Sequence, residues 1–171
     1  MVNNYSIPKI EIQVTKPKSN PSTNPFWVEC DEELDNAIAL LEAFEETWAI
    51  TDWSEEFGKW EPDKYEVEEI IEYAELYAQH GDAVVAFVEW HGVYNLYLGA
   101  FTEEYVGAFE SREDFVQERI EELNPDFETH LNKLGLKLHF IDWNEVVEDW
   151  FEGGTYYSQE VDGLVYVFVY D

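Results

Sequence analysis

The stretch YVGAFESREDFVQERIEEL, residues 105–123, shows the pattern that the rest of the chain repeats. Ser111 followed by Asp114 predicts a helix start, because the serine oxygen can accept a hydrogen bond from an unpaired amide of the first turn. Apolar residues follow at helical spacing: Phe115, Val116, Ile120 and Leu123. The stretch also holds six acidic residues, against only two basic ones, Arg112 and Arg119. The stretch predicts a helix with one buried face and one negative face.

The charge of the whole chain is extreme. The 171 residues include 39 acidic and 9 basic side chains, which gives a net charge of −30. A hydrophobic content of 46% and an aromatic content of 17% are too high for a disordered acidic tail. The tryptophans, Trp27 and Trp90 among them, are expected mostly in the core. Since self-repulsion destabilises a compact state, a protein that keeps this charge either uses it or lives in salt that screens it.

Several classes of location and partner disagree with this composition. The single cysteine, Cys30, permits no intrachain disulfide, which fits a reducing compartment. The first ten residues lack the apolar segment of a signal peptide, and no run approaches the roughly 18 apolar residues of a membrane span. Binding to nucleic acid needs Lys and Arg to displace counterions. We therefore expect a cytoplasmic protein that binds neither membrane nor nucleic acid.

The first 61 residues predict a small α/β domain. Alternating apolar residues and β-rich composition indicate strands, while Asp31 is placed to cap a helix. Pro, Ser and Asn mark residues 16–25 as a loop. The predicted elements are strands over residues 10–14, 26–28 and 47–53 and a helix over residues 32–46.

The middle region, residues 62–103, predicts a helical domain. Pro62 suits the first turn of a helix, which then runs to a cap at His80–Gly81. A second helix is expected over residues 83–90, and residues 93–104 are also assigned to helix.

Residues 104–171 predict a second α/β domain. The helix after Ser111 should end near Asn124, and Asp142 should cap a helix through Phe151. The pair Asp162–Gly163 between two β-rich runs predicts a hairpin. The expected fold class is therefore α+β, as an elongated array of small domains with mixed α/β domains at both ends and a helical middle.

Acidic residues concentrate on successive predicted helices. Residues 29–72 hold 17 acidic and two basic side chains. One acidic run is usually just a solvated face, and for several successive runs a solvated face and a binding face both remain open. The candidate binding residues, called the acidic set below, are Glu32, Glu33, Asp35, Glu42, Glu45, Glu46, Asp63, Glu66, Glu69, Glu72, Glu110, Glu113, Asp114, Glu118, Glu121, Glu122, Glu145 and Asp149.

The acidic set invites a comparison with DNA. A duplex carries one charge per roughly 1.7 Å of axis, so 30 negative charges correspond to about 50 Å of duplex. Carboxylates held on rigid helices could stand where phosphates stand.

Catalytic and cofactor motifs are missing from the sequence. The four histidines and Cys30 show no zinc spacing, and there is no Gly-rich phosphate loop or nucleophile elbow. With so many acids, pairs suited to a glycosidase arise anywhere and carry little information. The expectation is a protein that is not an enzyme and has no cofactor or metal.

Three C-terminal stretches resemble the ArdA-type antirestriction proteins. They cover residues 105–123, 140–151 and 156–171, and they contain a Y-x-G-x-F-x-S entry, an I-D-W helix and a final hairpin with V-x-V-F. The segment WAITDW, residues 48–53, is similar to a strand of the same family.

The resemblance implies an elongated three-domain protein that dimerises through residues 105–171 and mimics B-DNA. Such a protein occupies the DNA-binding groove of type I restriction–modification enzymes, on their methyltransferase and specificity subunits, and protects incoming mobile DNA.

Two alternatives remain beside this hypothesis. One is an acidic, salt-adapted protein that binds an unknown partner, although Glu outnumbers Asp by 28 to 11 and aromatics are abundant. The other is a hydrolase with paired carboxylates, which requires one acid with a raised pKa in a pocket.

Overall fold

The fold is mixed α+β, as the sequence predicted. The computed structural model describes residues 5–16, 24–91 and 97–170. The chain divides into two compact units, the N-terminal unit Met1–Phe101 and the C-terminal unit Thr102–Asp171. The division into three domains at residues 1–61, 62–103 and 104–171 stays a prediction.

The N-terminal unit contains a three-stranded antiparallel sheet in the order β2-β1-β3. The strands are β1 (Lys9–Lys16), β2 (Phe26–Glu29) and β3 (Thr47–Trp53), at the predicted places. Ile10 and Ile12 of the central strand are fully buried. Their alternation with polar residues gives the sheet one apolar face, because successive side chains of a strand point to opposite sides.

Helix α1 (Glu32–Ala43) begins where the sequence predicted and ends earlier. The Oδ1 atom of Asp31 accepts a hydrogen bond from the N–H of Glu33 over 2.8 Å, which confirms the predicted cap. The prediction that the helix reaches Glu46 is wrong. Glu45 adopts a left-handed φ of 52°, and the N–H of Glu46 donates to the carbonyl of Leu41. This hydrogen bond closes the helix in a Schellman arrangement that usually signals itself by glycine.

The next two helices are α2 (Val67–His80) and α3 (Asp82–His91). Pro62 does not open α2, contrary to the prediction, because it begins a separate 3-10 turn over Pro62–Lys64 and Tyr65 is extended. Gly81 ends α2 as predicted, with φ of 55°.

The core of the N-terminal unit is aromatic. Trp60 is 0% exposed, and its ring stacks on Tyr73 with 4.7 Å between ring centroids. Phe57 stacks on Tyr73 at 5.1 Å. Trp27 and Trp90 are 46% and 42% exposed, so the expectation that they belong to the core is wrong. The sequence therefore does not indicate which tryptophans are buried.

Two predicted segments lie partly outside the described residues. Of the loop over residues 16–25, residues 17–23 are outside, and of the helix over residues 93–104, residues 93–96 are outside. The described remainder of the latter forms a 3-10 turn, Leu98–Ala100, and a short helix α4, Phe101–Glu104. The division between the two units falls within α4.

After α4, the C-terminal unit contains three helices and a second three-stranded antiparallel sheet, in the order β4-β6-β5. The elements in chain order are β4 (Tyr105–Phe109), α5 (Arg112–Leu123), α6 (Phe127–Lys133), α7 (Trp143–Glu152), β5 (Tyr156–Val161) and β6 (Leu164–Val169).

The core of the C-terminal unit forms between α5 and the sheet. Phe115 and Val116 are buried together with Val167 of β6, as the helical spacing predicted for the first two. Leu123 is 60% exposed, so its assignment to the buried face is wrong, because it occupies the last residue of the helix. The predicted hairpin is confirmed. Its turn residues Asp162 and Gly163 have φ of 49° and 81°, as a primed turn requires.

Candidate functional site

Helix α1 presents acids without basic residues in its last turn. Glu32, Glu33 and Asp35 lie in its first turn and are exposed. Negative charge near a helix N-terminus is favourable, because the unpaired amides there carry partial positive charge. Glu42, nearer the C-terminus, lacks that compensation and is also exposed. The apolar residues Leu34 and Ile38 hold the opposite face in the core, so the acids point outward by helical spacing.

Helix α2 also exposes acids on the side opposite its buried apolar face. Glu69 and Glu72 are exposed, while Ile70, Tyr73 and Ala74 are buried. The N–H of Glu66 donates to the Oε2 atom of Glu69 over 3.0 Å. This bond stabilises the start of the helix and restricts the Glu69 carboxylate.

Helix α5 carries the densest group of acids. Ser111 accepts a hydrogen bond from the N–H of Asp114 over 3.1 Å, which confirms the predicted cap. The exposed acids on this helix are Glu113, Asp114, Glu118, Glu121 and Glu122.

Helix α7 contributes the last members of the acidic set. The Oδ1 atom of Asp142 accepts from the N–H of Glu145 over 3.3 Å, which confirms the predicted cap. Phe115 of α5 contacts Trp150 of α7 edge to face, with 6.0 Å between ring centroids. The exposed acids Glu145 and Asp149 therefore belong to a helix packed directly against α5.

Every member of the acidic set is exposed except Glu46, which is half-buried. The structure groups them in two places: α1 contacts α2 in the N-terminal unit, and α5 contacts α7 in the C-terminal unit. Five members lie in connections next to the helices, namely Glu45, Glu46, Asp63, Glu66 and Glu110.

Basic partners are scarce on these helices. Within the described residues, the one ion pair formed by the exposed acids of α1, α2, α5 and α7 joins Arg119 to Glu122, with 2.8 Å between Nη1 and Oε2. Three lysines, Lys9, Lys59 and Lys64, pair with acids outside the acidic set, for example Lys9 with Glu29. Exposed carboxylates without cations repel one another and add little stability.

An open groove of about 520 Å³ lies in the C-terminal unit beside the start of α5. Glu110 and Glu113 line it together with Glu160 of β5. Arg112 also lines it, and its Nε–H donates to the Oγ atom of Ser158 over 2.8 Å. The groove therefore combines a fixed guanidinium with surrounding carboxylates.

The hydrolase alternative gains no support from the titration behaviour of Glu56. Burial acts to raise the pKa of Glu56, but hydrogen bonds from Ser54 and Ser6 outweigh it and the net shift is downward. A general acid requires the opposite shift. Across residues 5–16, 24–91 and 97–170, no group of three or more His, Cys, Asp or Glu side chains is arranged to hold a metal ion.

The length and apolar character of the described helices can be compared with what a membrane span requires. None of those within the described ranges has the length together with the apolar character needed to cross a bilayer.

Two exposed acids of α7 lie outside the acidic set predicted from the sequence. Glu148 and Glu152 lie on the same helix as Glu145 and Asp149 and are equally exposed. Their helical spacing from the apolar residues Val147 and Phe151 was the signal that could have included them.

The sequence model of the family described as antirestriction protein (ArdA) matches residues 25–163 of the 171. Neither a curated protein nor a solved structure matches the chain. The family match spans both structural units and includes the motifs at residues 48–53, 105–123 and 140–151. The chain therefore belongs to the ArdA family of antirestriction proteins.

Proposed function

We propose that this antirestriction protein mimics B-DNA and occupies the DNA-binding groove of type I restriction–modification enzymes, on their methyltransferase and specificity subunits. The observation that carries the proposal is the set of exposed carboxylates on α1 and α2 of the N-terminal unit and on α5 and α7 of the C-terminal unit. Among the described residues, these carboxylates form one ion pair, Arg119 with Glu122. We further propose that it acts in the cytoplasm as a homodimer whose contact lies within residues 105–171.

The density of charge along the acidic helices supports the mimicry. Helix α5 has 12 residues and is about 18 Å long at 1.5 Å per residue. Its five exposed acids give one carboxylate per roughly 3.6 Å, close to one phosphate per about 3.4 Å of a single DNA strand. Helix α1 is also 12 residues long, and its four exposed acids give one carboxylate per roughly 4.5 Å.

The anchoring of these helices also supports it. A mimic gains affinity when its charges are already held in place, because the entropy of ordering them is lost before binding. Asp31, Ser111 and Asp142 cap α1, α5 and α7, and each helix packs an apolar face into its unit. The carboxylates therefore project from supported helices rather than from a loose chain.

Repulsion among the carboxylates of the unbound protein favours its binding to a groove lined with cations. Repulsion among unpaired carboxylates raises the free energy of the free protein, and cations of a DNA-binding groove relieve it. The same cations would otherwise neutralise phosphates. The enzyme's affinity for this protein should therefore fall as salt rises, as its affinity for DNA does.

A competition assay tests the proposal. A labelled duplex bound to a type I methyltransferase is titrated with the protein, and displacement is followed by fluorescence anisotropy. The variant Glu32→Gln/Glu33→Gln/Asp35→Asn/Glu42→Gln removes four charges from α1. It should weaken displacement by about tenfold or more, because close interfacial charge pairs contribute strongly to affinity.

A matched control separates the α1 face from total charge. The variant Asp52→Asn/Glu55→Gln/Glu68→Gln/Glu75→Gln removes four charges from exposed acids of the same unit that lie outside the acidic set. Displacement should fall less in this variant than in the α1 variant. Full displacement by the α1 variant, or no displacement by the unmodified protein, would contradict the proposal.

A further inference from the structure

A small pocket lies beside the first half of α2. Its volume is about 190 Å³, and all of its wall belongs to the N-terminal unit. Its lining residues are Trp60, Tyr65, Glu69, Glu72, Tyr97 and Leu98. The wall thus combines three aromatic residues with two exposed members of the acidic set, Glu69 and Glu72.

The two carboxylates are one helical turn apart. Glu69 and Glu72 are both exposed on α2, and residues three apart on a helix have Cβ atoms about 5–6 Å from each other. The Oε2 atom of Glu69 accepts the N–H of Glu66, which orients this carboxylate. Two carboxylates at this spacing can engage one cation between them.

The aromatic residues of the pocket pack against one another and against the backbone. The Trp60 ring stacks on Tyr65 with 4.3 Å between ring centroids, and Trp60 is fully buried. Its indole N–H has no hydrogen-bond acceptor among the described residues. Tyr97 is 76% exposed, and its ring covers Gly99, where an added Cβ would lie 2.7 Å from the Tyr97 Cζ atom. The Tyr97 ring therefore lies over the backbone at Gly99 and forms an exposed part of the pocket wall.

We propose that this pocket receives an arginine side chain of the partner enzyme. The inference rests on the proposed function, under which the partner holds DNA with basic side chains. A guanidinium is planar and can stack on the exposed ring of Tyr97 while its fork of N–H donors engages the carboxylates of Glu69 and Glu72. A lysine ammonium satisfies the carboxylates alone. The lining of this pocket therefore selects arginine.

The pocket has a consequence for how binding energy is distributed. Arginine and aromatic side chains that fill a pocket dominate many interfaces, while surrounding contacts contribute little. The start of α2 should therefore act as an anchor within the broader acidic surface. Charges elsewhere on the set would then guide the approach of the partner.

The first experiment uses N-acetyl-arginine amide as the probe. It is titrated into the isotopically labelled full chain, and the indole N–H signal of Trp60 is followed by NMR. The signal should shift and saturate. The citrulline analogue, which has the same shape without the charge, should produce no shift, and the lysine analogue should bind several-fold more weakly. An absent shift, or equal binding of citrulline or lysine, overturns the assignment.

The second experiment compares two charge-matched variants of the same helix. Glu69→Gln/Glu72→Gln alters the pocket, and glutamine at residue 69 keeps an oxygen for the N–H of Glu66. Glu68→Gln/Glu75→Gln removes the same charge from exposed residues that do not line the pocket. The pocket variant should bind the arginine probe about tenfold more weakly, since charged hydrogen bonds are lost. Equal weakening in both variants overturns the pocket in favour of a diffuse field.

The competition assay distinguishes the two proposals. If the unmodified protein binds the arginine probe and does not displace duplex from the enzyme, the mimicry fails and the arginine pocket stands. If it displaces duplex and shows no saturable binding of the probe, the pocket fails and the mimicry stands. If both hold, the pocket variant should displace duplex more weakly than its charge-matched control.

Discussion

Arg112 and Ser158 join the first turn of α5 to strand β5 through a hydrogen bond of 2.8 Å from Nε–H to Oγ. The guanidinium of Arg112 also lies over the ring of Phe151, with its Cζ atom 4.8 Å from the ring centroid. Ser158 is the buried polar side chain of the described core. One of the nine basic residues in a chain of net charge −30 is thus held at the surface of the C-terminal unit by two contacts, although its side chain is exposed. Arg112 of α5 therefore contacts both strand β5, through Ser158, and helix α7, through Phe151.

This relationship predicts that Arg112→Lys destabilises the C-terminal unit although the net charge is unchanged. The loss should be about 1 kcal/mol, because lysine keeps the charge and loses the planar contact and the Nε–H donor. Hydrogen exchange of the α5 amides in urea measures it. In combination with Ser158→Ala, the effects should be less than additive. Full additivity would show that the two side chains are not coupled.

The hairpin turn predicts a purely conformational cost at Gly163. Its φ is 81°, and an added Cβ would meet nothing within 4 Å. Gly163→Ala should therefore destabilise the C-terminal unit by about 1 kcal/mol through backbone strain alone. Urea unfolding checks this value. Gly135→Ala, with φ of 74° and equally open space, is the matched control outside the sheet and should show a similar strain. A neutral effect at Gly163 would contradict the left-handed turn.

Tyr73 predicts a loss of stability at alkaline pH. Its hydroxyl donates to the carbonyl of Glu56 over 2.9 Å, and burial, with neighbouring Tyr77, Asp82 and Glu56, raises the pKa of Tyr73 above its ordinary value of 10.0. Above that pH the unfolded chain loses a proton that the folded chain keeps, so the unfolded state is favoured. The contribution of Tyr73 to stability is thus complete below pH 10 and falls above it, by up to about 1.4 kcal/mol per pH unit.

The variant Tyr73→Phe isolates this contribution. At neutral pH it should be less stable by about 1 kcal/mol, because the carbonyl of Glu56 loses its donor. Between pH 10 and 11.5 the difference from the unmodified protein should shrink, since phenylalanine cannot ionise. Urea midpoints across this range measure the difference. Parallel curves would show that Tyr73 ionises equally in the folded and unfolded chains.

The unpaired acids predict that salt stabilises the protein. Raising NaCl from about 0.02 to 0.5 M shortens the screening length from above 10 Å to a few Å, so repulsion among exposed carboxylates falls. The melting temperature should rise by roughly 2–4 °C for each kcal/mol of relieved repulsion. Calorimetry measures this rise. The four-charge variant of α1, described above, should respond less.

Two outcomes of the salt experiment would change the interpretation. A melting temperature that falls with salt would mean that ion pairs such as Arg119–Glu122 outweigh the repulsion. A chain that folds only in molar salt would revive the alternative of a salt-adapted protein.

Local chemistry explains which structural features could be predicted. Ser111 and Asp142 mark helix starts because their oxygens satisfy amides only a few residues away. The turn at Asp162–Gly163 follows in the same way from residues that tolerate positive φ. The outward position of the acids follows from helical spacing against the apolar residues of the same helix.

The way in which helices α1 and α5 end could not be predicted from residue type and apolar pattern. Glu45 takes a left-handed conformation that its type does not indicate, because the hydrogen bond from Glu46 to Leu41 closes α1 there. Leu123 satisfies the apolar pattern of α5 and is nevertheless exposed at the end of that helix. Pattern alone does not say where a helix leaves the core.

The sequence by itself determined the charge, the α+β class, the helix caps and the family, because each of these depends on composition or on residues close in the chain. Only the tertiary structure decided that Trp60 is the buried tryptophan and that Tyr97 and Glu69 line the same pocket. Such neighbours come from separate segments of the chain, and the packing of α2 against the aromatic core brings them together. Burial is a property of the folded unit as a whole, so no local pattern could have identified this pocket.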